Sequence, residues 1–413
     1  MGRLLMVESW VGATGRLLPP KIPELGHSYT LVTRDPGRYR SSCGRDGHPV
    51  LEYADEVVVA ETNELEPMLE ALGGRSFDGV LTVCDYYVET VRQTAQRLGV
   101  PCPFPERVGD VRRKHLMRRC LDAAGLGNAR HVAASDWAGV AEGARTLGYP
   151  LVLKPSDLAS SAFVRIVRDG DGLREAFQAL ESFPMNLRGQ RREPVFLLEE
   201  YLEGPEFSVE SVSAGGTTTV LGVTDKSVTG DPFFIEDGHM FPADLSDAEE
   251  RRVTDYVLDV LRAVGFDHGV AHTEVKLTSE GPRIVEINPR LPGNYIVELV
   301  ERVTGIDMLQ TFVELALGKA PSPEMRGRGT GSAAILFLVP DGSGTVRSLS
   351  GADEAARSPG VVRCFFEDCV GREIAPAIDN ACYLRHVVTR DEEGPGARAL
   401  ARRALDGVRV DFA

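Results

Sequence analysis

Two strand-like segments, one on either side of a turn at residues 279–282, carry the polar side chains best suited to chemistry. Side chains alternate faces along a strand, so each segment would bury one face and present the other. The polar faces consist of His272, Glu274 and Lys276 from residues 269–277, and of Glu286, Asn288 and Arg290 from residues 283–290. The opposite faces consist of Thr273, Val275, Leu277, Val285 and Ile287. If the two strands pair, six polar groups lie together on one surface.

The two glutamates of this surface predict a cation site. Directly opposed side chains on paired strands have Cβ atoms about 4.5–5.5 Å apart, and two carboxylates at that distance repel each other unless a cation lies between them. Carboxylate and amide oxygens suit Mg²⁺, which usually also keeps waters and a substrate phosphate. The predicted metal ligands are therefore Glu274, Glu286 and Asn288. The alternative is a solvated sheet face with ordinary ion pairs.

Residues 197–210, with the sequence LLEEYLEGPEFSVE, predict a strand that ends in a Gly-Pro turn. The edge of such a strand can offer main-chain N–H and C=O groups to an adenine ring, between apolar side chains. The carboxylate of Glu206 could accept hydrogen bonds from ribose hydroxyls. The alternative is a structural strand that ends in a charged turn.

A lysine at the end of an apolar strand predicts a phosphate contact. Lys154 follows Leu-Val-Leu at residues 151–153, where its ammonium could reach phosphate oxygens in a cleft. The next segment, residues 156–162, is rich in Ser and Ala, and its N–H groups and hydroxyls could close over a triphosphate. It is not a Walker A loop, because G-x-x-x-x-G-K-[ST] does not occur. Lys114, on a basic helix predicted over residues 112–124, is a second phosphate-contacting candidate, or else a solvated helix lysine.

The elements that must position these residues begin with an alternating strand and helix pattern. Strands are predicted at residues 4–7, 28–32, 56–59 and 79–83, with helices at 65–72 and 87–98. Such alternation indicates βαβ units around a parallel sheet. The first strand is followed by Glu8, Ser9 and Trp10 instead of a G-x-G-x-x-G sequence, which argues against a dinucleotide-binding oxidoreductase. Prolines at 101, 103 and 105 mark a domain boundary.

Composition restricts the class of protein. A chain of 413 residues allows about three domains. The net charge is −15 with no block of Lys or Arg, which argues against a nucleic-acid partner. Seven cysteines without a C-x-x-C pair predict reduced, mostly buried thiols instead of a zinc site or disulfide framework. Neither a signal peptide nor an apolar run of about 18 residues is evident, so we expect a cytoplasmic protein without a membrane span.

Taken in order, these motifs resemble the ATP-grasp superfamily. The motifs are Lys114, Lys154 before the small-residue loop, EEYL at 199–202, Glu274 and E-x-N-P-R at 286–290. The resemblance implies an α/β and α+β fold of three parts. These are an N-terminal Rossmann-like α/β domain over 1–108, a central ATP-grasp lobe over 109–205, and a C-terminal lobe with a terminal β-rich subdomain over 206–413. The segments GVAHTE at 269–274, EDGH at 236–239 and RLPGNYI at 290–296 resemble L-amino acid (dipeptide) ligases.

The resemblance also implies roles for individual residues. The phosphates would be contacted by Lys114 and Lys154, under the loop that contains Ser156, Ser160 and Ser161. Adenine would be held by Glu199, Glu200, Tyr201 and Leu202, and the ribose by Glu206. The implied catalytic residues are Arg290, Lys154 and His272. The candidate substrate contacts are Lys226, Glu236, His239, Arg290 and Gly293.

The implied reaction is ATP-dependent amide formation from a carboxylate and an amine, through an acyl phosphate, with release of ADP and phosphate. The cofactors would be ATP and two Mg²⁺ ions, for which Mn²⁺ can substitute. The substrates would be small molecules, namely amino acids, and a homodimer is compatible with the resemblance. Two alternatives stay open. One is an ATP-grasp enzyme with another acceptor, such as a carboxylase, a formate-dependent transferase or a carrier-protein ligase. The other is a non-catalytic ATP-binding protein.

Overall fold

The computed structural model describes residues 1–41, 47–321, 331–366, 369–380 and 382–413. The first part is a parallel sheet with strand order β3-β2-β1-β4, which confirms the predicted α/β pattern. Its elements are β1 (Arg3–Val7), α1 (Thr14–Glu24), β2 (Ser28–Thr33), α2 (Gly37–Ser41), α3 (Pro49–Glu52), β3 (Glu56–Val59), α4 (Leu65–Leu72), β4 (Gly79–Leu81) and α5 (Val88–Leu98). A single 3₁₀ turn, Asp85–Tyr87, precedes α5.

Strand β1 forms because its residues 4–7 are all apolar and fully buried, as expected for a central strand covered on both faces. Helix α1 was not predicted, since it contains Pro19, Pro20 and Pro23. Proline removes a backbone donor and disfavours a helix interior. The burial of Leu18 and Ile22 against the core outweighs this preference.

The second part is a small antiparallel sheet with strand order β5-β8-β6-β7. Its elements, with two preceding helices, are α6 (Val108–Arg112), α7 (Lys114–Ala123), β5 (His131–Ala134), α8 (Trp137–Leu147), β6 (Leu151–Pro155), β7 (Arg165–Val167), α9 (Gly170–Glu181) and β8 (Phe196–Glu200). The helix predicted over 112–124 is wrong in one respect, because Arg113 is extended (φ −79°, ψ 110°) and divides it into α6 and α7. This break puts Lys114 at the start of α7.

The third part is an eight-stranded sheet with the order β13-β12-β9-β10-β11-β14-β18-β16, next to a three-stranded sheet with the order β17-β15-β19. The first half comprises β9 (Glu206–Ala214), β10 (Thr217–Thr229), β11 (Ile235–Phe241), α10 (Asp247–Ala263), β12 (Gly269–Thr278), β13 (Gly281–Asn288), α11 (Ile296–Thr304) and α12 (Met308–Ala316). The second half comprises β14 (Ser332–Leu338), β15 (Gly344–Ser350), α13 (Ala352–Ala356), β16 (Val361–Phe366), β17 (Glu373–Ile374), β18 (Arg385–Asp391), α14 (Ala397–Leu405) and β19 (Arg409–Phe412).

Strands β12 and β13 pair in the predicted antiparallel way. Glu274 lies opposite Glu286, and His272 lies opposite Asn288. The register shifts just after Glu274, so that Val275 pairs with Ile284. This bulge corrects the expected position of Val285, which lines the same cavity as the glutamates instead of the buried face.

Helices α6 and α7 pack against the large sheet. Val111, Met117 and Leu121 of these helices belong to one buried apolar cluster with Val257 of α10 and Ile287 of β13. Helix α10 is stabilised at its start by a capping box between Ser246 and Glu249. The residues around Lys114 are therefore attached to the large sheet, while Lys154 lies on the small one. The boundaries at 108/109 and 205/206 stay predictions.

None of the cysteines within the described ranges forms a disulfide. Cys84, Cys102 and Cys369 are buried, whereas Cys120, Cys364 and Cys382 are partly exposed. Cys43 lies outside the described residues. No helix in the described part of the chain is both long and apolar enough to cross a membrane. The cytoplasmic location and the homodimer stay predictions.

Candidate active site

A cavity of about 200 Å³, open to solvent, lies between the small and the large sheets. It brings together most of the residues predicted from the sequence. The residues that line it include Lys114, Lys154, Ser160, Ser161, Glu199, Glu200, Tyr201, Leu202, Glu206, Glu236, His272, Glu274, Glu286, Arg290 and Gly293. Ser156, Lys226, His239 and Asn288 are buried and do not line this cavity.

Lys114 reaches the cavity from the start of α7. Its main-chain N–H donates to the carbonyl oxygen of Ser156 at 3.0 Å. Its Nζ atom donates to the carbonyl oxygen of Leu158 at 3.0 Å and lies 2.7 Å from Oε2 of Glu286. The predicted phosphate contact and a predicted metal ligand therefore form an ion pair.

Lys154 lies at the end of β6 in a buried group of charges. Its Nζ atom is 2.7 Å from Oε2 of Glu199, and Arg118 donates to both carboxylate oxygens of Glu199, at 2.7 and 3.1 Å. Burial alone would raise the pKa of Glu199, but Arg118 and Lys154 lower it to about 2. Burial lowers the pKa of Lys154, while Glu199 opposes that shift.

This group corrects the expected role of Glu199, because its side chain is engaged with two cations and does not extend toward an adenine ring. Arg118 was missed. It lies four residues after Lys114, a spacing that puts both side chains on one face of α7 and could have indicated it. Glu200 contributes its main chain to the cavity wall, while its carboxylate accepts hydrogen bonds from the main-chain N and Nε of Arg130, at 2.9 and 2.7 Å.

The small-residue segment at 156–162, here called the phosphate loop, has an unusual backbone. Ser160 and Ser161 have φ angles of 62° and 55°, and Phe163, directly after the loop, has φ 60°. Residues other than glycine rarely adopt this left-handed backbone conformation, because it costs on the order of 1 kcal/mol per residue. Ser156 turns away from the cavity, and its Oγ lies 2.5 Å from Nδ1 of His115. Of the predicted serines, only Ser160 and Ser161 can face a ligand.

The two predicted metal carboxylates are each next to a cation. Glu286 pairs with Lys114 and accepts a hydrogen bond from Nδ2 of Asn288 at 2.9 Å. Burial would raise the pKa of Glu286, but mainly Lys114 lowers it to about 2. Glu274 lies 2.9 Å from Nζ of Lys226. No cluster of three or more His, Cys, Asp or Glu side chains suited to a metal occurs among the described residues. The cavity wall thus supplies two carboxylates, with Asn288 hydrogen-bonded to Glu286, and carboxylate oxygens suit Mg²⁺ when phosphates and water complete its shell.

His272 lies between two carboxylates. Its Nδ1 atom is 3.0 Å from both oxygens of Glu210, and its Nε2 atom is 3.3 Å from Glu274. Burial would lower the pKa of His272, but Glu210 and Glu274 raise it to about 9. A raised pKa disfavours proton acceptance, so these contacts argue against a general-base role for His272, one of the implied catalytic residues. Glu210, also held by Ser208 and Thr224, was missed.

Lys226 lies among three carboxylates. Its Nζ atom is 3.1 Å from Glu206 and 2.9 Å from both Glu236 and Glu274. Burial would lower the pKa of Lys226, but these carboxylates raise it well above the usual value. Because its charge is already matched, Lys226 is not placed to bind a substrate carboxylate, contrary to expectation.

Glu236 connects this charge cluster to the far wall of the cavity. It accepts a hydrogen bond from Nδ2 of Asn294 at 2.6 Å, and Nε2 of His239 lies 3.4 Å from it. Asn380 of the terminal subdomain accepts a hydrogen bond from the main-chain N of Glu236 at 3.0 Å and also lines the cavity. Asn294 lies within the RLPGNYI segment but was not predicted as a contact, and Asn380 lies outside every motif.

Comparisons with known proteins agree with this geometry. Residues 147–298 match the ATP-grasp domain, and residues 336–413 match the L-amino acid ligase C-terminal domain 2. The chain contains an ATP-grasp domain. The resemblance and the fold class predicted from the sequence are thereby confirmed.

Three known proteins illustrate the similarity. The protein y4rH of Sinorhizobium fredii is 29% identical over 87% of this ATP-grasp chain and 77% of its own length. Human carnosine synthase 1 is 26% identical over 82% of this chain, which spans only 42% of that protein. The crystal structure of an L-amino acid ligase from Bacillus licheniformis has the same fold, with a TM-score of 0.85, 23% identity and coverage of 100% of this chain and 99% of that one.

Proposed function

We propose that this ATP-grasp protein is an ATP-dependent carboxylate–amine ligase. It forms an amide bond through an acyl phosphate and releases ADP and phosphate. The observation that carries the proposal is the position of Glu274 opposite Glu286, in one cavity with Lys114, Lys154 and Arg290. The two carboxylates can hold a metal, and the three cations can contact phosphoryl oxygens. Transfer of a γ-phosphoryl group depends on such positioning and charge stabilisation.

ATP would lie with its adenine ring against the main chain of residues 200–202 and its phosphates beneath the phosphate loop. Mg²⁺ would be held by Glu274, Glu286 and Asn288, and when bound it would neutralise charge on the phosphates. We expect two such ions, with Mn²⁺ as a substitute. The ion pairs that Lys114 and Lys226 now make with these glutamates support the fit, because the same oxygens already attract positive charge.

The reaction then follows from the positions of the cations. The substrate carboxylate attacks the γ-phosphorus, and Lys154 and Arg290 stabilise the charge that develops on the phosphoryl oxygens. Ser160 and Ser161, in the phosphate loop, shield the acyl phosphate from water. An unprotonated amine attacks the acyl carbon, and Arg290 stabilises the tetrahedral oxyanion. The C–O bond to phosphate then breaks, and the departing phosphate takes the proton that the amine nitrogen loses. This step needs no side-chain base.

We further propose that both substrates are amino acids. Similarity to the L-amino acid ligase C-terminal domain over residues 336–413 supports this class over carboxylases and formate-dependent transferases. Asn380 of that region lines the cavity beside Glu236 and Asn294, so the terminal subdomain contributes to the pocket. A polar wall of this kind suits the ammonium and carboxylate groups of amino acids.

A phosphate-release screen tests the proposal. The purified protein is incubated with ATP, Mg²⁺ and amino acids in pairs, and mass spectrometry identifies condensed products. We expect phosphate release that requires both an acid and an amine, with one amide formed per phosphate. The matched control is Glu286→Gln, which removes one metal carboxylate at constant size. If no carboxylate stimulates phosphate release, the ligase function is wrong.

A further inference from the structure

An ion pair from the N-terminal domain holds Arg290. Asp85 begins the 3₁₀ turn Asp85–Tyr87 that follows β4. Its Oδ2 atom accepts hydrogen bonds from Nε of Arg290 at 2.7 Å and from Nε1 of Trp10 at 3.1 Å. Asp85 is 4% exposed, so water and salt screen this pair weakly. Asp85 is remote in sequence from every motif of the predicted site.

The contacts of Arg290 fix the plane of its guanidinium group. Besides Nε, its Nη1 donates to the carbonyl oxygen of Leu291 at 2.8 Å, and its Nη2 donates to Oδ1 of Asn288 at 3.3 Å. A guanidinium is a rigid fork of five N–H donors. Once Asp85 holds the Nε edge, the N–H groups that these bonds do not use can meet a ligand in one orientation only.

Residues 185–191, here called the docking hairpin, contact the same edge of the N-terminal domain. The hairpin connects α9 to β8 and is closed by a bridge between Met185 and Arg191. Arg188 is 3% exposed, and its guanidinium carbon lies 5.4 Å from the ring centroid of Trp10. It also donates to the carbonyl oxygen of Ser9. The ring that Arg188 covers is therefore the one that donates to Asp85.

The main chain of the docking hairpin is held as well. The carbonyl oxygen of Arg188 accepts hydrogen bonds from Arg34 at 2.7 Å and from Asn63 at 3.0 Å. Gln190 donates to the carbonyl oxygen of Tyr86 at 3.0 Å, and the hydroxyl of Tyr86 accepts from the main-chain N of Ala159 at 3.4 Å. A single turn thus contacts Arg290, the docking hairpin and the phosphate loop.

We propose that Asp85 is a positioning residue for Arg290, and that docking of the hairpin through Arg188 and Trp10 stabilises this alignment. The proposal rests on the role of Arg290 in the proposed ligase reaction. The docking hairpin precedes β8 and the phosphate loop follows β6, two neighbouring strands of the small sheet, so the contacts that hold this lobe over the cavity also orient the arginine. Closure and alignment are then one event.

The first test is Asp85→Asn, which keeps the size of the side chain and removes its charge. We expect kcat for phosphate release to fall by roughly 100-fold, the effect of a reactive group misplaced by about 1 Å. The KM for ATP stays nearly unchanged, because Arg290 acts on charge that develops only in the transition state. Trp10→Phe, which keeps an aromatic ring but loses the N–H donor and the larger indole, should lower kcat by a smaller factor. An unchanged kcat for Asp85→Asn overturns the proposal.

The second test uses Trp10 as a spectroscopic reporter. The chain has two tryptophans, and the other, Trp137, packs in α8 against Phe177 and does not line the cavity. In a Trp137→Phe protein, which should retain full activity, we expect Arg188→Gln to shift the emission of Trp10 to longer wavelength. Arg188→Gln and Asp85→Asn together should lower kcat by less than the product of their separate effects. Unchanged emission, or multiplicative effects on kcat, contradicts the coupling.

A third measurement separates this proposal from the ligase function. If the unsubstituted protein releases no phosphate with any pair of substrates, the ligase function fails. The contact is then tested by urea unfolding of Asp85→Asn, Arg290→Gln and the double variant. Non-additive shifts of the midpoint support the positioning contact, and additive shifts overturn it.

Discussion

Nζ of Lys114 lies 2.7 Å from Oε2 of Glu286, so a cation predicted for ATP phosphates neutralises a carboxylate predicted for Mg²⁺. Both side chains line the cavity. We infer that binding of ATP with Mg²⁺ exchanges this pair. Lys114 turns to the phosphates, and the metal takes its place beside Glu286. The charge of the site is balanced before and after binding.

This exchange predicts that loss of the Lys114 ammonium affects nucleotide binding and Mg²⁺ binding differently. Lys114→Met should weaken binding of ADP measured by calorimetry, by roughly tenfold or more, since loss of a charged hydrogen bond costs about 1.5–3 kcal/mol. The same substitution should not weaken the dependence of ADP binding on Mg²⁺, because Glu286 no longer pairs with Lys114. The exposed Lys319→Met serves as the control. Equal ADP affinity in Lys114→Met and the unsubstituted protein would sink the idea.

The buried group around Glu199 predicts a large effect on stability. Glu199→Gln leaves Arg118 and Lys154 without their carboxylate, and breaking a buried pair costs about 3–5 kcal/mol of the free energy of unfolding. Urea unfolding at neutral pH measures this loss. Glu203→Gln, at an exposed position shortly after β8, should change the free energy of unfolding by less than about 0.5 kcal/mol. Similar midpoints for both variants would contradict a stabilising role of Glu199.

The same carboxylate predicts a pH dependence. The pKa of Glu199 is about 2 in the folded protein, below the value near 4.3 of an unfolded glutamate. A depressed pKa contributes stability that is complete above the unfolded value and is lost as pH falls toward 2. The difference in free energy of unfolding between the unsubstituted protein and Glu199→Gln should therefore shrink between about pH 5 and pH 2. A difference that stays constant over this range would show that Glu199 is not charged in the fold.

Local patterns explain which parts of the site could be predicted. The opposition of Glu274 and Glu286 follows from the period of two in neighbouring strands joined by a short turn. Lys154 follows from its place at the end of an apolar strand. The bulge that moves Val285 into the cavity could not be predicted. The alternation of Val285, Glu286 and Ile287 in the sequence fits a regular strand equally well.

Residues that act through tertiary contacts could not be predicted from the sequence. Asp85 meets Arg290 only because the N-terminal domain lies against the large sheet, and Glu210 meets His272 only because β9 and β12 are neighbours. The charge state of His272 depends on that pairing as well. A motif gives residue types and spacing, whereas partners from distant segments set the pKa of a side chain and its orientation.

The phosphate loop predicts a coupling effect. Ser161→Gly should relieve the left-handed backbone at φ 55°, since glycine adopts this region without strain. A loop that is less restricted should shield the acyl phosphate less well, so that more of it reacts with water. We expect the ratio of phosphate released to amide formed to rise above one, with Ser182→Gly, outside the cavity, as the control. An unchanged ratio would mean that other residues exclude the water.

Gly293 predicts a change in substrate selection. It lines the cavity beside Asn294, and a Cβ atom added there would meet no other atom within 4 Å. Gly293→Val should therefore fold normally while its side chain takes up cavity space, so that KM for bulky substrates rises more than KM for glycine or alanine. Loss of the space for one methylene group in such a pocket costs about 1–3 kcal/mol of transition-state binding, which is roughly 10- to 200-fold in kcat/KM. Phosphate release measured across a series of amino acids of increasing size checks this. A uniform loss for small and large substrates would instead indicate that Gly293 is needed for the backbone path next to Arg290.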